Sequence, residues 1–312
     1  MYPLKFNNIY FKKVWGSDYL KGFRNNITES GVGESWDLAC HKSGMSVVAN
    51  GDYSGRTLIS LIKQFGTEIL GENIWKEGFV ENDFPIMIKV ITSGEDLSIQ
   101  VHPSDEYALT HENQNGKIEC WYIVQCEEGA EIVLGTVPCD KYEFIKQCKS
   151  GHVDKYIKRI KVFPGDVFVI KPGLIHSIGK GIVLAEFQQN SDLTYRVFDF
   201  NRGRELHIDK ATEAINMEII GTKSSEEIIN LNKFLLTFCN IEENTVFQGN
   251  KQHFYTLTCV EGGGSVLYEN GKKTETMNIS TLDTIFIPAS MDKYIIKGNM
   301  KLIKITPNEC KY

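Results

Sequence analysis

The chain is expected to be mainly β, a sandwich or barrel with a few short helices. Three observations point there. Short alternating apolar runs recur from residue 84 to 189, and glycine-, proline- and aspartate-rich turns separate them. Long helical periodicity is nearly absent, so the repeating strand–helix–strand pattern of a parallel sheet is missing. The composition, 42% hydrophobic and 24% charged over 312 residues, is that of an ordinary globular protein with length for two domains.

Taken in order, Asn8–Gly16 and Gly33–Ala39 read as strands, with Glu34 and Trp36 as a possible pocket border. Leu58, Leu61, Ile62, Phe65 and Ile69 have helical spacing, so a helix is expected over 57–70, ending at Gly71 and covering one end of a β structure. Strands follow over 86–93, 97–102, 117–124, 130–134, 156–162, 166–171 and 182–189. Ser104-Asp-Glu106 reads as a turn, 136–147 as a short helix, 211–216 as a helical turn, and 224–231 as a connector. Strands resume over 234–238, 253–261, 265–268, 284–288 and 293–296, with Glu261-Gly-Gly-Gly264 and Asn270-Gly271 as tight turns. No helix follows those glycines, which excludes a phosphate loop. The division implied is 1–232 for the site-bearing domain and 233–312 for a smaller β domain without a metal site.

The chemistry centres on Leu97-Ser-Ile-Gln-Val-His-Pro103. In a strand, Ser98, Gln100 and His102 share one face, with Ile99 and Val101 on the other. Alone, this could be a half-buried strand with an ordinary histidine. Lys117, Glu119 and Trp121 alternate in the same way, and His176 follows the Pro172-Gly173 turn. Gln100, His102, Glu119 and His176 together form a nitrogen–oxygen set for a divalent cation such as zinc, with room for water or substrate. Leu184, Glu186 and Gln188 share a strand face. Arg196 lies among apolar residues, so it either pairs with a carboxylate or faces an anionic ligand.

The net charge of −6 argues against nucleic acid or an anionic membrane as the main partner. No run approaches the roughly 18 apolar residues of a membrane span, and the N-terminus has no signal-peptide core. Eight scattered cysteines without a CxxC pair suit a reduced, cytoplasmic setting.

Four stretches in order carry a resemblance: Leu97-Ser-Ile-Gln-Val-His-Pro103, Gly116-Lys-Ile-Glu-Cys-Trp-Tyr122, Pro172-Gly-Leu-Ile-His-Ser-Ile-Gly179 and Glu186-Phe-Gln-Gln-Asn-Ser-Asp-Leu-Thr-Tyr-Arg-Val-Phe-Asp-Phe200. With Trp15-Gly16 and Gly33-Glu-Ser-Trp36, the chain resembles type I mannose-6-phosphate isomerases, in their short bacterial form. Ser17 departs from the pattern, standing where many relatives have a second glycine. The resemblance implies a double cupin, a jelly-roll β-sandwich whose second copy has lost its ligands. It implies one zinc per chain on Gln100, His102, Glu119 and His176, and Lys117, Arg196 and Glu186 as catalytic residues. Ser98, Lys117 and Arg196 are expected to bind substrate.

The implied reaction interconverts mannose 6-phosphate and fructose 6-phosphate. A proton leaves C2 of the aldose and returns at C1 through an enediolate, by way of Glu186 or a metal-activated water, while the metal acts as a Lewis acid. Lys117 and Arg196 offset negative charge on the enediolate or the phosphate. Two alternatives are another metal cupin enzyme, such as a dioxygenase, and a phosphosugar-binding double cupin without turnover. The Gln ligand and nearby basic residues favour the isomerase over oxygen chemistry, and the retained Lys117, Arg196 and Glu186 favour it over a binder.

Overall fold

The computed structural model describes residues 1–308. They form two compact units. One comprises 10–35 and 89–225, the other 1–9, 36–88 and 226–308. This packing differs from the linear division at 232/233, because the N-terminal segments bond to C-terminal strands. Leu4 exchanges backbone hydrogen bonds of 2.9 Å with Phe286, and Phe254 N donates to Leu70 O at 2.9 Å.

Two sheets, built mostly from the unit containing 89–225, face each other. One runs in the order Ile9–Ser17, Val32–Leu38, Ile86–Ser93, Ile182–Gln189, Glu119–Cys126, Val167–Ile170, Lys223–Ser224. The other runs Tyr195–Phe198, Ile99–Val101, His176–Ile178, Glu131–Thr136, Ile157–Lys161. Trp121, Ile123, Phe168, Ile170 and Leu184 of the first pack against Ile132, Leu134 and Ile178 of the second, in one apolar core. This is the cupin-type β-sandwich that the resemblance implies.

The five-stranded sheet is apolar on its outer face as well. Ile99, Val101, Tyr195 and Val197 pack there under Phe144, Ile145 and Cys148 of the helix Lys141–Ser150 and Ala211 of the helix Ile208–Ala214. Alternation therefore leaves Gln100, between Ile99 and Val101, on the inner face. Burying both apolar residues of that strand under helices is what turns the polar positions inward.

Several elements differ from expectation for identifiable reasons. Ser104 is not in a simple turn. Its hydroxyl accepts from Tyr107 N and caps the helix Asp105–His111, whose first turn carries Asp105 and Glu106. The expected helix at 136–147 begins later, at Lys141, where Asp140 accepts from Tyr142 N and Glu143 N. It ends at Gly151 in a left-handed conformation.

The helix over 57–70 is split at Gly66, φ +49°, into Leu58–Phe65 and Thr67–Leu70. Residues 224–231, expected as a connector, hold the strand Ile228–Asn230.

The other unit contains a six-stranded antiparallel sheet with three long strands, Phe234–Gln248, Tyr255–Asn270 and Lys293–Pro307. Glu261–Gly264 is not a turn, but lies within the second of these. A Cβ on Gly262 would sit 2.2 Å from Asn299 O, and one on Gly264 2.0 Å from Lys297 O. These glycines serve close strand approach beside the irregularity between Cys259 and Glu261. Asn270-Gly271 does turn the chain, with Asn270 opposite Lys273. No helix among the described residues is long and apolar enough to cross a membrane.

Candidate metal centre and active site

Strand register collects the site. His176 and Arg196 both lie directly opposite Gln100, one on each flanking strand. On the facing sheet Gln188 lies opposite Glu119, and Glu186 opposite Trp121. Residues in register share a face, so alternation brings these side chains to one end of the inter-sheet core. His102 follows the strand Ile99–Val101 and is held where Gly173 N donates to His102 O at 2.9 Å.

His102, Glu119 and His176 are fully buried and offer ligand atoms within 4.8 Å of one another. Their Nε2 atoms are 3.1 Å apart, and lie 3.4 Å (His102) and 3.7 Å (His176) from Glu119 oxygens. Each imidazole donates its Nδ1 proton to a backbone carbonyl, His102 to Leu193 O at 2.7 Å and His176 to Leu174 O at 2.9 Å. That fixes the tautomer and leaves both Nε2 lone pairs facing inward. Burial, then the Lys117 charge, pushes His102 down to about 3. Burial lowers His176 as well, so both rings stay neutral at pH 7.

Burial works to raise Glu119, but Lys117 and then His102 hold it well below the usual carboxylate range. Neither Glu119 oxygen accepts a well-directed hydrogen bond. Two neutral imidazole nitrogens and an ionised carboxylate converging in a buried site form a group that could hold a metal ion. Gln100 adds its amide, with Nε2 3.3 Å from His176 Nε2 and Oε1 accepting from Ser98 Oγ at 3.2 Å. A half-turn of that amide exchanges its oxygen and nitrogen, and the Ser98 hydroxyl can serve either orientation.

Lys117 sits 2.6 Å from Glu119 Oε2, 3.6 Å from Glu186 Oε1 and 3.3 Å from His102 Nε2. Burial opposes its charge, but Glu119 and Glu186 outweigh burial and raise its pKa. Burial and the neighbouring Glu119 charge raise Glu186, whose Oε2 accepts from Trp121 Nε1 at 3.0 Å. Two carboxylates with oppositely shifted pKa values around one lysine make a candidate acid–base pair.

Arg196 is half-buried. It donates to Glu205 O at 2.6 Å, and its buried Nε has no hydrogen-bond partner. Among the described residues no carboxylate lies in ion-pair range of it.

Lys89 was not anticipated. It is buried beside Glu34 at 3.8 Å, and Glu34 also pairs with Lys13 at 2.9 Å. Burial lowers the Lys89 pKa, with Glu34 opposing. The available signal was a lysine in the middle of the apolar run Ile86-Met-Ile-Lys-Val-Ile91, where an unpaired ammonium would be costly. Gln188, recognised only as sharing a strand face with Glu186, proves to be fully buried opposite Glu119.

A family model described as phosphomannose isomerase type I, catalytic domain, matches residues 4–125. Mannose-6-phosphate isomerase ManA of Bacillus subtilis is 37% identical over 284 residues, covering 85% of this chain and 87% of that protein. A mannose-6-phosphate isomerase of Streptococcus mutans is 38% identical over 222 residues, covering 69% of this chain and 68% of that one. The crystal structure of a B. subtilis mannose 6-phosphate isomerase superposes with a TM-score of 0.85 at 32% identity, covering 98% of this chain and 99% of that one.

Proposed function

Because the chain belongs to the type I phosphomannose isomerase family, we propose that it interconverts mannose 6-phosphate and fructose 6-phosphate at the buried His102–Glu119–His176 centre. The observation carrying this reading is the convergence of that ligand set with Lys117 and Glu186, all buried at one end of the sandwich. The set fits zinc, with two imidazole Nε2 atoms, the Glu119 carboxylate, and Gln100 through Oε1 once its amide is turned. When bound, the metal would supply Lewis-acid polarisation of the sugar's C1 and C2 oxygens.

The protein's own residues do the rest. Glu186, raised by burial and by Glu119, is suited to take the C2 proton and return it at C1, since raising a carboxylate makes it a stronger base. Trp121 Nε1 holds one Glu186 oxygen and so orients the other. Lys117 keeps its charge and stabilises negative charge as it develops on the enediolate. Arg196, with no carboxylate partner, is available to the enediolate or the phosphate, which supports the anionic-ligand reading of that residue.

Ser98 orients Gln100 and, with Lys117 and Arg196, lines the substrate site. Cys120, Cys126, Cys139, Cys148, Cys239 and Cys259 are free thiols, which suits the reducing cytoplasm. The partners proposed are sugar phosphates, as the names of the relatives indicate.

Turnover of mannose 6-phosphate in deuterated water tests the reaction and its proton route together. Fructose 6-phosphate should form with solvent deuterium at C1. No product from a folded, metal-loaded protein would remove the isomerase reading, and deuterium at C1 below one atom per product would measure how often Glu186 returns the proton before it exchanges with solvent.

A further inference from the structure

Gln188 lies in the strand Ile182–Gln189, is fully buried, and sits directly opposite Glu119 on the site face. Its Nε2 donates to Gln189 O at 2.9 Å and to Ser191 O. Both partners are carbonyl acceptors, so the amide cannot be turned over without setting oxygen against oxygen. Its Oε1 is therefore fixed on the opposite side, where it has no hydrogen-bond partner.

The donors around the centre are already committed. Trp121 Nε1 is on Glu186, and the Lys117 ammonium lies between Glu119 and Glu186. The cross-strand neighbour Glu119 is itself an acceptor. A buried, rigidly oriented acceptor with no protein donor calls for an explanation.

We propose that Gln188 is a substrate-positioning residue, its Oε1 accepting a hydrogen bond from a hydroxyl of the sugar phosphate seated at the His102–Glu119–His176 centre. This rests on the isomerase reading and adds a specific contact to it. Such a contact selects a polyol chain over an anion alone, since only the former brings a hydroxyl donor to a carbonyl oxygen.

A rival role is purely structural. Through Gln189 and Ser191, Gln188 braces the loop whose Leu193 carbonyl holds the His102 ring, with Leu193 N donating to Ser191 Oγ at 3.3 Å. The test must separate the two.

The probes are an open-chain hexitol 6-phosphate, which has no carbonyl to isomerise, and inorganic phosphate. Both are titrated calorimetrically into zinc-loaded wild type, Gln188→Met, Gln188→Leu and Ser191→Ala, with zinc affinity measured by a competing chelator. Loss of the acceptor in either Gln188 variant should weaken hexitol phosphate about tenfold, the usual worth of one hydrogen bond. Inorganic phosphate and zinc should bind within twofold of wild type, and Ser191→Ala should leave hexitol phosphate unchanged. In turnover, the Gln188 variants should raise KM more than they lower kcat.

Equal hexitol phosphate binding in wild type and both Gln188 variants would overturn the proposal. So would parallel losses of zinc and phosphate affinity, or a Ser191→Ala defect matching theirs, because each points to the loop brace. Failure of folded, zinc-loaded wild type to bind hexitol phosphate would instead overturn the isomerase reading beneath it.

Discussion

Arg196 and the two buried histidines bear the sharpest tests at the level of single residues. Arg196 has a buried Nε without a partner and, among the described residues, no carboxylate in ion-pair range, and we propose that its charge serves a ligand. Arg196→Ala should cost about a hundredfold in turnover, the scale of one lost charge-stabilising donor, with metal content unchanged. Near-wild-type turnover would remove its catalytic role.

His102 and His176 are held neutral, His102 at about 3 against an ordinary 6.5. Above pH 6.5 neither state binds protons there. As pH falls below 6.5, the unfolded chain takes up protons that the folded chain refuses, so stability declines down to about pH 3. Glu186, raised above 4.5, works in the opposite direction. The denaturation midpoint of chelated wild type should therefore fall between pH 7 and pH 5, and fall less in His102→Gln. Equal slopes would contradict neutral burial.

His102 and Glu119 are legible because period-two alternation sets their faces whatever the rest of the fold does, and His176 because it follows the Pro172-Gly173 turn. Lys89 is not, since its strand is buried along its whole length and leaves no alternation to read.

Positioning by secondary structure rests on a few close approaches. A Cβ on Gly116 would lie 2.4 Å from Asp105 N and 2.5 Å from Ser104 C, so the segment leading into Lys117 runs against the start of the helix Asp105–His111. Gly116→Ala should destabilise the protein by about 1–3 kcal/mol and reduce turnover as Lys117 is displaced. Asp140→Ala, which removes the cap of a helix on the outer face of the sheet, should cost about 1 kcal/mol and leave kcat unchanged. Thermal melts and steady-state kinetics on both would show whether the inner and outer faces separate in this way.

Most longer strands are readable, although Lys273–Ser280 carries no expectation of one, but strand length is not. Glu261–Gly264 looks like turn chemistry because glycine clusters usually are. Here tertiary contact decides, since only glycine admits the facing Lys297 and Asn299 carbonyls at 2.0–2.2 Å from where a Cβ would be. Ser104 shows the reverse case, where a serine before two acidic residues was a readable helix cap passed over as a turn.

At the scale of the whole molecule, the net charge of −6 coexists with buried lysines that are balanced by carboxylates, Lys89 by Glu34 and Lys117 by Glu119 and Glu186, which leaves Arg196 as the cation proposed for an anionic ligand. The non-linear division of the chain is invisible to a reading that moves along the sequence, because it depends on residues 1–9 and 36–88 bonding to segments far along the chain, as Leu4 does with Phe286 and Leu70 with Phe254.

The central claim, that one metal held by this buried set enables the isomerisation, is tested most directly by titration. Wild type is stripped with a chelator, and zinc is added back while conversion of mannose 6-phosphate to fructose 6-phosphate is followed in a coupled assay. Activity should vanish on chelation, return in proportion to added zinc and level off at one equivalent per chain. Full activity in the stripped protein, or no recovery once the site is loaded, would contradict the account.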